Sequence, residues 1–172
     1  MQNVFHGLGI ALITPFKEDG SIDYDALVSL VEYQLANGAD FFCILATTGE
    51  APCLTREEKD ELTRVVKKVV NGRVPILKYC GGNNTAAVVD EIKTTDWQGI
   101  DGILSICPYY NKPNQEGLYQ HFRAIAQASP LPIVMYNVPG RVGVNMTAET
   151  TVRIASEFDN VVAIKEASGN LE

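Results

Sequence analysis

An α/β fold of repeated parallel βα units is predicted by three features of the chain. Six short apolar runs recur along it: Leu8–Thr14, Phe41–Ala46, Pro75–Cys80, Gly102–Cys107, Pro132–Tyr136 and Val161–Lys165. Most are apolar at nearly every position, as strands are when a parallel sheet is covered on both faces. Amphipathic stretches separate them, and the runs begin roughly thirty residues apart, the length a βα unit needs.

The elements follow in order. The first strand, Leu8–Thr14, leads to a helix capped by Asp23, with Leu27, Leu30, Val31 and Leu35 on one face and a stop at Asn37-Gly38. After the second strand, Thr55-Arg56-Glu57-Glu58 forms a capping box, in which the threonine and the glutamate each satisfy an orphan N–H of the first turn. That helix turns Leu62, Val65, Val66 and Val69 inward and ends at Asn71-Gly72. A third helix begins at Asn84-Thr85 with Val88, Val89 and Ile92 inward. A fourth begins at Gln115-Glu116 with Leu118, Phe122, Ile125 and Ala126 inward, and stops before Pro130. The fifth begins at Thr147-Ala148-Glu149 with Val152, Ile154, Ala155 and Phe158 inward. No linker, low-complexity tract or second domain interrupts residues 1–172, so a single domain is expected.

Six strands and five helices in strict alternation fit a doubly wound sheet or a (β/α)8 TIM barrel. A doubly wound nucleotide fold carries a glycine-rich phosphate loop after its first strand. Here Thr14-Pro15-Phe16 follows it, and the segment Cys80-Gly81-Gly82-Asn83 has neither G-x-G-x-x-G nor Walker spacing. The barrel is the better reading. A barrel needs eight strands, and this chain supplies about six of them.

Composition narrows the partners. The formal net charge is -7, from 14 Lys+Arg against 21 Asp+Glu, which argues against nucleic acid and anionic membranes. No run approaches the ~18 apolar residues of a membrane span. The first sixteen residues lack a basic region and a cleavage site, so a cytoplasmic protein is expected. Cys43, Cys53, Cys80 and Cys107 form no C-x-x-C pair and have no histidine nearby in sequence, so no metal is expected. They read as free thiols, three of them in apolar runs.

Barrel enzymes place their chemistry at the C-terminal ends of strands and in the loops beyond. Those positions here are Thr14-Pro15, Thr47-Thr48-Gly49-Glu50, Gly81-Gly82-Asn83, Pro108-Tyr109-Tyr110-Asn111, Tyr136-Asn137-Val138-Pro139-Gly140-Arg141 and Lys165-Glu166. The set holds one lysine, several hydroxyls and one arginine, but no histidine and no carboxylate pair. A lysine among tyrosines suits imine chemistry: the amine attacks a carbonyl and a phenol moves protons. Strand alternation puts Val161, Ala163 and Lys165 on one face, and an amine on an apolar floor is more readily neutral. The bland alternative is a lysine that merely ends a strand in solvent. Lys78 is a rival, although mid-strand it can face the surrounding helices. Tyr136 ends the neighbouring strand, within reach of that amine, or is simply an amphipathic strand end. Arg141 follows a Pro139-Gly140 turn and could bind a carboxylate bidentately, or lie free on the surface. His6 and His121 have no role, and His121 reads as a surface or packing residue.

Four motifs in order carry a resemblance. Thr47-Thr48-Gly49-Glu50, Pro108-Tyr109-Tyr110-Asn111-Lys112-Pro113 with Gln115-Glu116-Gly117, Tyr136-Asn137-Val138-Pro139-Gly140-Arg141 and Ile164-Lys165-Glu166-Ala167-Ser168-Gly169-Asn170 resemble the dihydrodipicolinate synthase family, from Gly7 to the last residue. The resemblance implies a TIM barrel that condenses pyruvate with L-aspartate 4-semialdehyde in lysine (diaminopimelate) biosynthesis. By motif, Lys165 forms the imine with pyruvate. Tyr136, Thr47 and Tyr110 form a proton relay, with Tyr110 reaching into a neighbouring subunit's site in a homodimer or homotetramer. Thr48 holds the pyruvate carboxylate and Arg141 the carboxylate of the semialdehyde. No cofactor is implied, because the lysine imine is itself the electron sink. The alternatives are another pyruvate-dependent lyase, for N-acetylneuraminate or a keto-sugar acid, and an inactive truncated barrel. The chain departs from the family pattern in four respects. Ala46 replaces a usual glycine and is expected to shift its loop. Lys78-Tyr79-Cys80 replaces a small-residue run. In the regulatory lysine pocket of inhibited members, Asn83 and Tyr109 fit, while Ala51, Pro52, Arg56, Lys59 and Ala87 do not. The last two βα units and the C-terminal helices are absent.

Overall fold

The computed structural model describes residues 3–170. The ends of the expected domain, Met1, Gln2, Leu171 and Glu172, lie outside the described residues. The chain divides into two compact units: Val4–Tyr79 with Trp97–Asp101, and Cys80–Asp96 with Asn3 and the described residues from Gly102 onward.

The first unit contains β1 (Gly9–Ala11), α1 (Tyr24–Ala36), β2 (Phe41–Ile44), 3-10 turns at Thr47–Gly49 and Ala51–Cys53, α2 (Arg56–Val70) and β3 (Ile76–Tyr79). β2 pairs in parallel with β1 on one side and β3 on the other. The capping box forms as the sequence predicts: the Glu58 N–H donates to Thr55 Oγ1 at 3.2 Å and the Thr55 N–H to Glu58 Oε2 at 2.8 Å. Asn71 ends α2 in the left-handed region, at φ 48°. Leu27 and Val31 of α1 and Leu62, Val66 and Val70 of α2 are buried, as are Phe42, Ile44, Ile76 and Leu77 of the sheet. Each large side chain so buried contributes about 1.5–3 kcal/mol.

Two expectations are corrected in this unit. β1 covers three residues rather than Leu8–Thr14. Beyond it the Leu12 N–H donates to the Cys43 carbonyl at 3.0 Å and the Thr14 hydroxyl donates to the Gly49 carbonyl at 2.7 Å, while Pro15 has no N–H to donate. On α2, Val70 takes the fully buried position and Val69 is half-buried.

The second unit contains α3 (Thr85–Thr94), β4 (Gly102–Ile106), α4 (Gln115–Ala128), β5 (Ile133–Asn137), the single turn α5 (Pro139–Val142), α6 (Ala148–Glu157) and β6 (Val161–Glu166). β5 pairs in parallel with β4 and β6. Asn84, Asn114 and Thr147 cap the three longer helices through their side-chain oxygens. The core combines Ile103, Leu104, Ile133 and Met135 of the sheet with Val88, Ile92, Leu118, Phe122, Ile125 and Ile154 of the helices. His121 is also buried, in a packing role. Its Nδ1 lies 2.8 Å from Thr85 Oγ1, and desolvation pushes its pKa down to about 4. The ring is therefore neutral near pH 7.

Here too the structure departs from expectation. α6 buries Ile154 as expected and Thr150 with it, but turns Val152 and Ala155 to the surface. Simple alternation also fails on β6. Ile133 pairs with Val161 but Val134 pairs with Ala163, so an extra residue is inserted in β6. Paired residues share a face, and Ile133 and Val134 point to opposite faces. Val161 therefore lies opposite to Ala163 and Lys165. Among the described residues no helix is long and apolar enough to cross a membrane.

Candidate active site

The bulge in β6 decides which side chains meet at the strand ends. Beyond it the register runs Tyr136 to Lys165 and Asn137 to Glu166. Lys165 and Tyr136 thus share a face, and Lys165 Nζ sits 4.5 Å from the centroid of the Tyr136 ring. The tyrosine is buried and the lysine half-buried. Contact with the ring face orients the amine.

Lys78 is placed differently. It is buried on β3 with Nζ 5.6 Å from the Trp97 ring centroid. Trp97 lies in the connection after α3, so Lys78 faces that connection.

Asn137 and Glu166 occupy the opposite face. Asn137 is buried, and its Nδ2 donates to Glu166 Oε2 at 2.9 Å and to Asn145 Oδ1 at 2.7 Å. Its Oδ1 accepts from the Met146 N–H at 3.0 Å. The Ser168 N–H donates to Glu166 Oε1 at 2.6 Å. Desolvation pushes the Glu166 carboxyl up, but these hydrogen bonds outweigh it and hold it below the usual carboxylate range. Nearby, burial and the Glu166 charge push the Cys107 thiol up to about 12, so it stays protonated. Cys43 and Cys80 are buried and Cys53 is exposed, and none of the four cysteines is in a disulfide.

The other sequence candidates are placed as follows. Thr47 and Thr48 form a 3-10 turn after β2, in the first unit. Thr47 is half-buried and Thr48 exposed. Left-handed residues flank the turn, Leu45 at φ 57° and Glu50 at φ 53°. A leucine rarely adopts that region. Ala46 is buried and extended at φ -82°, a backbone conformation open to any residue. Tyr110 is 88% exposed at φ 70°, in a segment tethered by Asn111 Nδ2 to the Asn83 carbonyl at 3.2 Å. Arg141 is exposed on the helical turn α5 rather than in a simple loop. Among the described residues no group of three or more His, Cys, Asp or Glu side chains is arranged to hold a metal ion.

The structure thus brings Lys165 and Tyr136 together, whereas Tyr110 and Arg141 lie on separate segments of the same unit. Sequence reasoning gave no role to Asn137, Glu166 or Asn145. A buried amide directly after a strand-end tyrosine was the available signal, since buried polar groups demand partners.

The dihydrodipicolinate synthetase family model matches residues 4–172. A 4-hydroxy-tetrahydrodipicolinate synthase from Phocaeicola vulgatus is 60% identical over 171 residues, which cover 99% of this chain and 58% of that relative. The crystal structure of dihydrodipicolinate synthase from Thermotoga maritima matches with a TM-score of 0.93 at 43% identity, covering 98% of this chain and 57% of that one. A monomeric dihydrodipicolinate synthase variant matches with a TM-score of 0.93 at 43% identity, covering 98% and 56%. The chain therefore spans a little over half the length of these relatives, and its fold is the N-terminal part of their TIM barrel.

Proposed function

The chain belongs to the dihydrodipicolinate synthetase family, and from that premise we propose that the protein condenses pyruvate with L-aspartate 4-semialdehyde to give 4-hydroxy-tetrahydrodipicolinate. The observation that carries the reading is the Lys165 amine held 4.5 Å from the Tyr136 ring at paired strand ends.

In this reading the neutral Lys165 amine attacks the keto carbon of pyruvate. The carbinolamine loses water and becomes an imine. The imine withdraws electrons from the methyl carbon, which gives up a proton and becomes the nucleophilic carbon of an enamine. That carbon adds to the aldehyde, whose oxygen takes a proton. The amino group of the second substrate then displaces Lys165 from the imine carbon, closing the ring and restoring the enzyme. Tyr136, Thr47 and Tyr110 carry the protons, Tyr110 from a neighbouring subunit of a dimer or tetramer. Thr48 holds the pyruvate carboxylate through its N–H, and Arg141 pairs with the carboxylate of the semialdehyde. No cofactor takes part. Residues 1–172 form the N-terminal portion of one barrel domain, and the protein acts in the cytoplasm.

The test is borohydride reduction of the native full-length protein with pyruvate, followed by peptide mapping. A reduced adduct on Lys165 supports the reading. An adduct on Lys78, or none, overturns it.

A further inference from the structure

We propose that Asn137 is a positioning residue for Lys165: it latches the end of β6 to β5 one residue beyond the reacting lysine. The inference rests on the reading of Lys165 as the nucleophile. β6 pairs with β5 on one side only among the described residues, and its middle residues are half-buried. A strand so held needs a restraint near its end to keep Lys165 over Tyr136. Three contacts supply it. The Ala167 N–H donates to the Asn137 carbonyl at 2.9 Å. Asn137 Nδ2 donates to Glu166 Oε2, and the Ser168 N–H donates to the other carboxylate oxygen. Together they grip the backbone and side chain of the residues that follow Lys165.

The same amide anchors the segment after α5. Its second N–H goes to Asn145 Oδ1, and its oxygen takes the Met146 N–H. The Asn145 carbonyl accepts from Gln115 Nε2 at 2.8 Å, at the start of α4. Gln115 Oε1 in turn accepts from the Thr147 N–H and from Thr150 Oγ1, at 3.1 and 2.7 Å. The latch is therefore tied to two helix N-termini, rigid supports of the kind that hold a reacting group in place. Both N–H groups and the oxygen of the Asn137 amide, and both Glu166 carboxylate oxygens, are used in one consistent pattern. Asn137 cannot flip its amide without setting its NH2 against the Met146 N–H.

That pattern predicts an exchange of partners. Asn137→Asp removes the donor and sets two carboxylates against each other. Glu166→Gln sets an NH2 against either Asn137 or the Ser168 N–H. In the double variant the new amide at position 166 can donate to the new carboxylate at position 137 and still accept from the Ser168 N–H. That carboxylate keeps the Met146 N–H, and Asn145 turns its own amide to donate.

The experiment measures the rate of borohydride trapping of pyruvate on Lys165, with steady-state turnover, in the native full-length protein and these three variants. Each single variant traps about 10²-fold more slowly, the cost of misplacing a reacting group by about 1 Å. The double variant recovers to within about tenfold, because coupling between contacting residues makes their effects non-additive. A residue needed only for folding would lower the folded fraction but leave the trapping rate per folded molecule unchanged, so rates are compared per folded molecule. Single variants that trap at the native rate, or a double variant no faster than Asn137→Asp, overturn the proposal while leaving Lys165 as the nucleophile. If Asn137→Asp does not fold, Glu166→Gln and the double variant decide the question on the same terms. No adduct on Lys165 in the unsubstituted protein overturns the reading on which the latch rests.

Discussion

Acidification should unfold this protein in part through His121. The ring is 3% exposed, and its pKa falls from about 6.5 in the unfolded chain to about 4 in the fold. Between those values the unfolded state binds the proton and the folded state does not. Stability from this group is fully present above about pH 6.5 and is lost as pH falls toward 4. One pKa unit corresponds to about 1.4 kcal/mol, so the loss reaches about 3 kcal/mol at pH 4 and about 2 kcal/mol at pH 5. That is a sizeable part of the ~5–15 kcal/mol that holds a domain together. The perturbation is His121→Phe, which keeps a ring in the site and removes the titration. It also strips Thr85 Oγ1 of its partner, so absolute stability is not the comparison to make. Urea unfolding from about pH 7 to pH 4.5 should show a shallower dependence of stability on pH in the variant, by about 2 kcal/mol across the range. Equal slopes in the two proteins would refute the argument, since every other titrating group is common to both.

Three further outcomes are expected. Tyr136→Phe in the full-length protein should lower turnover by about 10²–10⁴-fold, the range for loss of a general acid–base group. Imine trapping should be hurt less, and near-native turnover would return Tyr136 to packing. L-Lysine at millimolar concentration should leave turnover flat, because at the positions that the resemblance implies for a regulatory pocket this chain carries Arg56 and Lys59, which repel an ammonium, and Ala87, which offers no carboxylate; inhibition curves check this. Residues 1–172 expressed alone should be neither monodisperse nor active by size exclusion and coupled assay. β1 and β6 each pair on one side only among the described residues, and Leu8, Ile13 and Val152 are more than half exposed. Each such side chain left in water forgoes about 1.5–3 kcal/mol of burial.

The sequence made the repeated βα plan legible because the periodicities of strand and helix are local. Apolar runs marked the six strands, and the Thr55–Glu58 capping box and the Asn71 stop set the ends of α2 without reference to anything distant. Motif order did the same for the family, and strand-end position singled out Lys165 and Tyr136. Tertiary structure decided what local pattern could not. Past the short β1 the Thr14 hydroxyl reaches a carbonyl 35 residues away, a contact with no local trace. Helical periodicity offered Val152, Ile154 and Ala155 to the interior, but packing took only Ile154 of the three and left the other two exposed. His121 reads as any polar helix residue until neighbouring elements enclose it and empty its site of water. The inserted residue in β6 is settled only by pairing with β5. It sends Val161 to the opposite face and leaves Lys165 over Tyr136, with Asn137 and Glu166 behind them. The residue types at the strand ends were thus written in the chain, whereas the face each one occupies was decided by the register of the strand beside it.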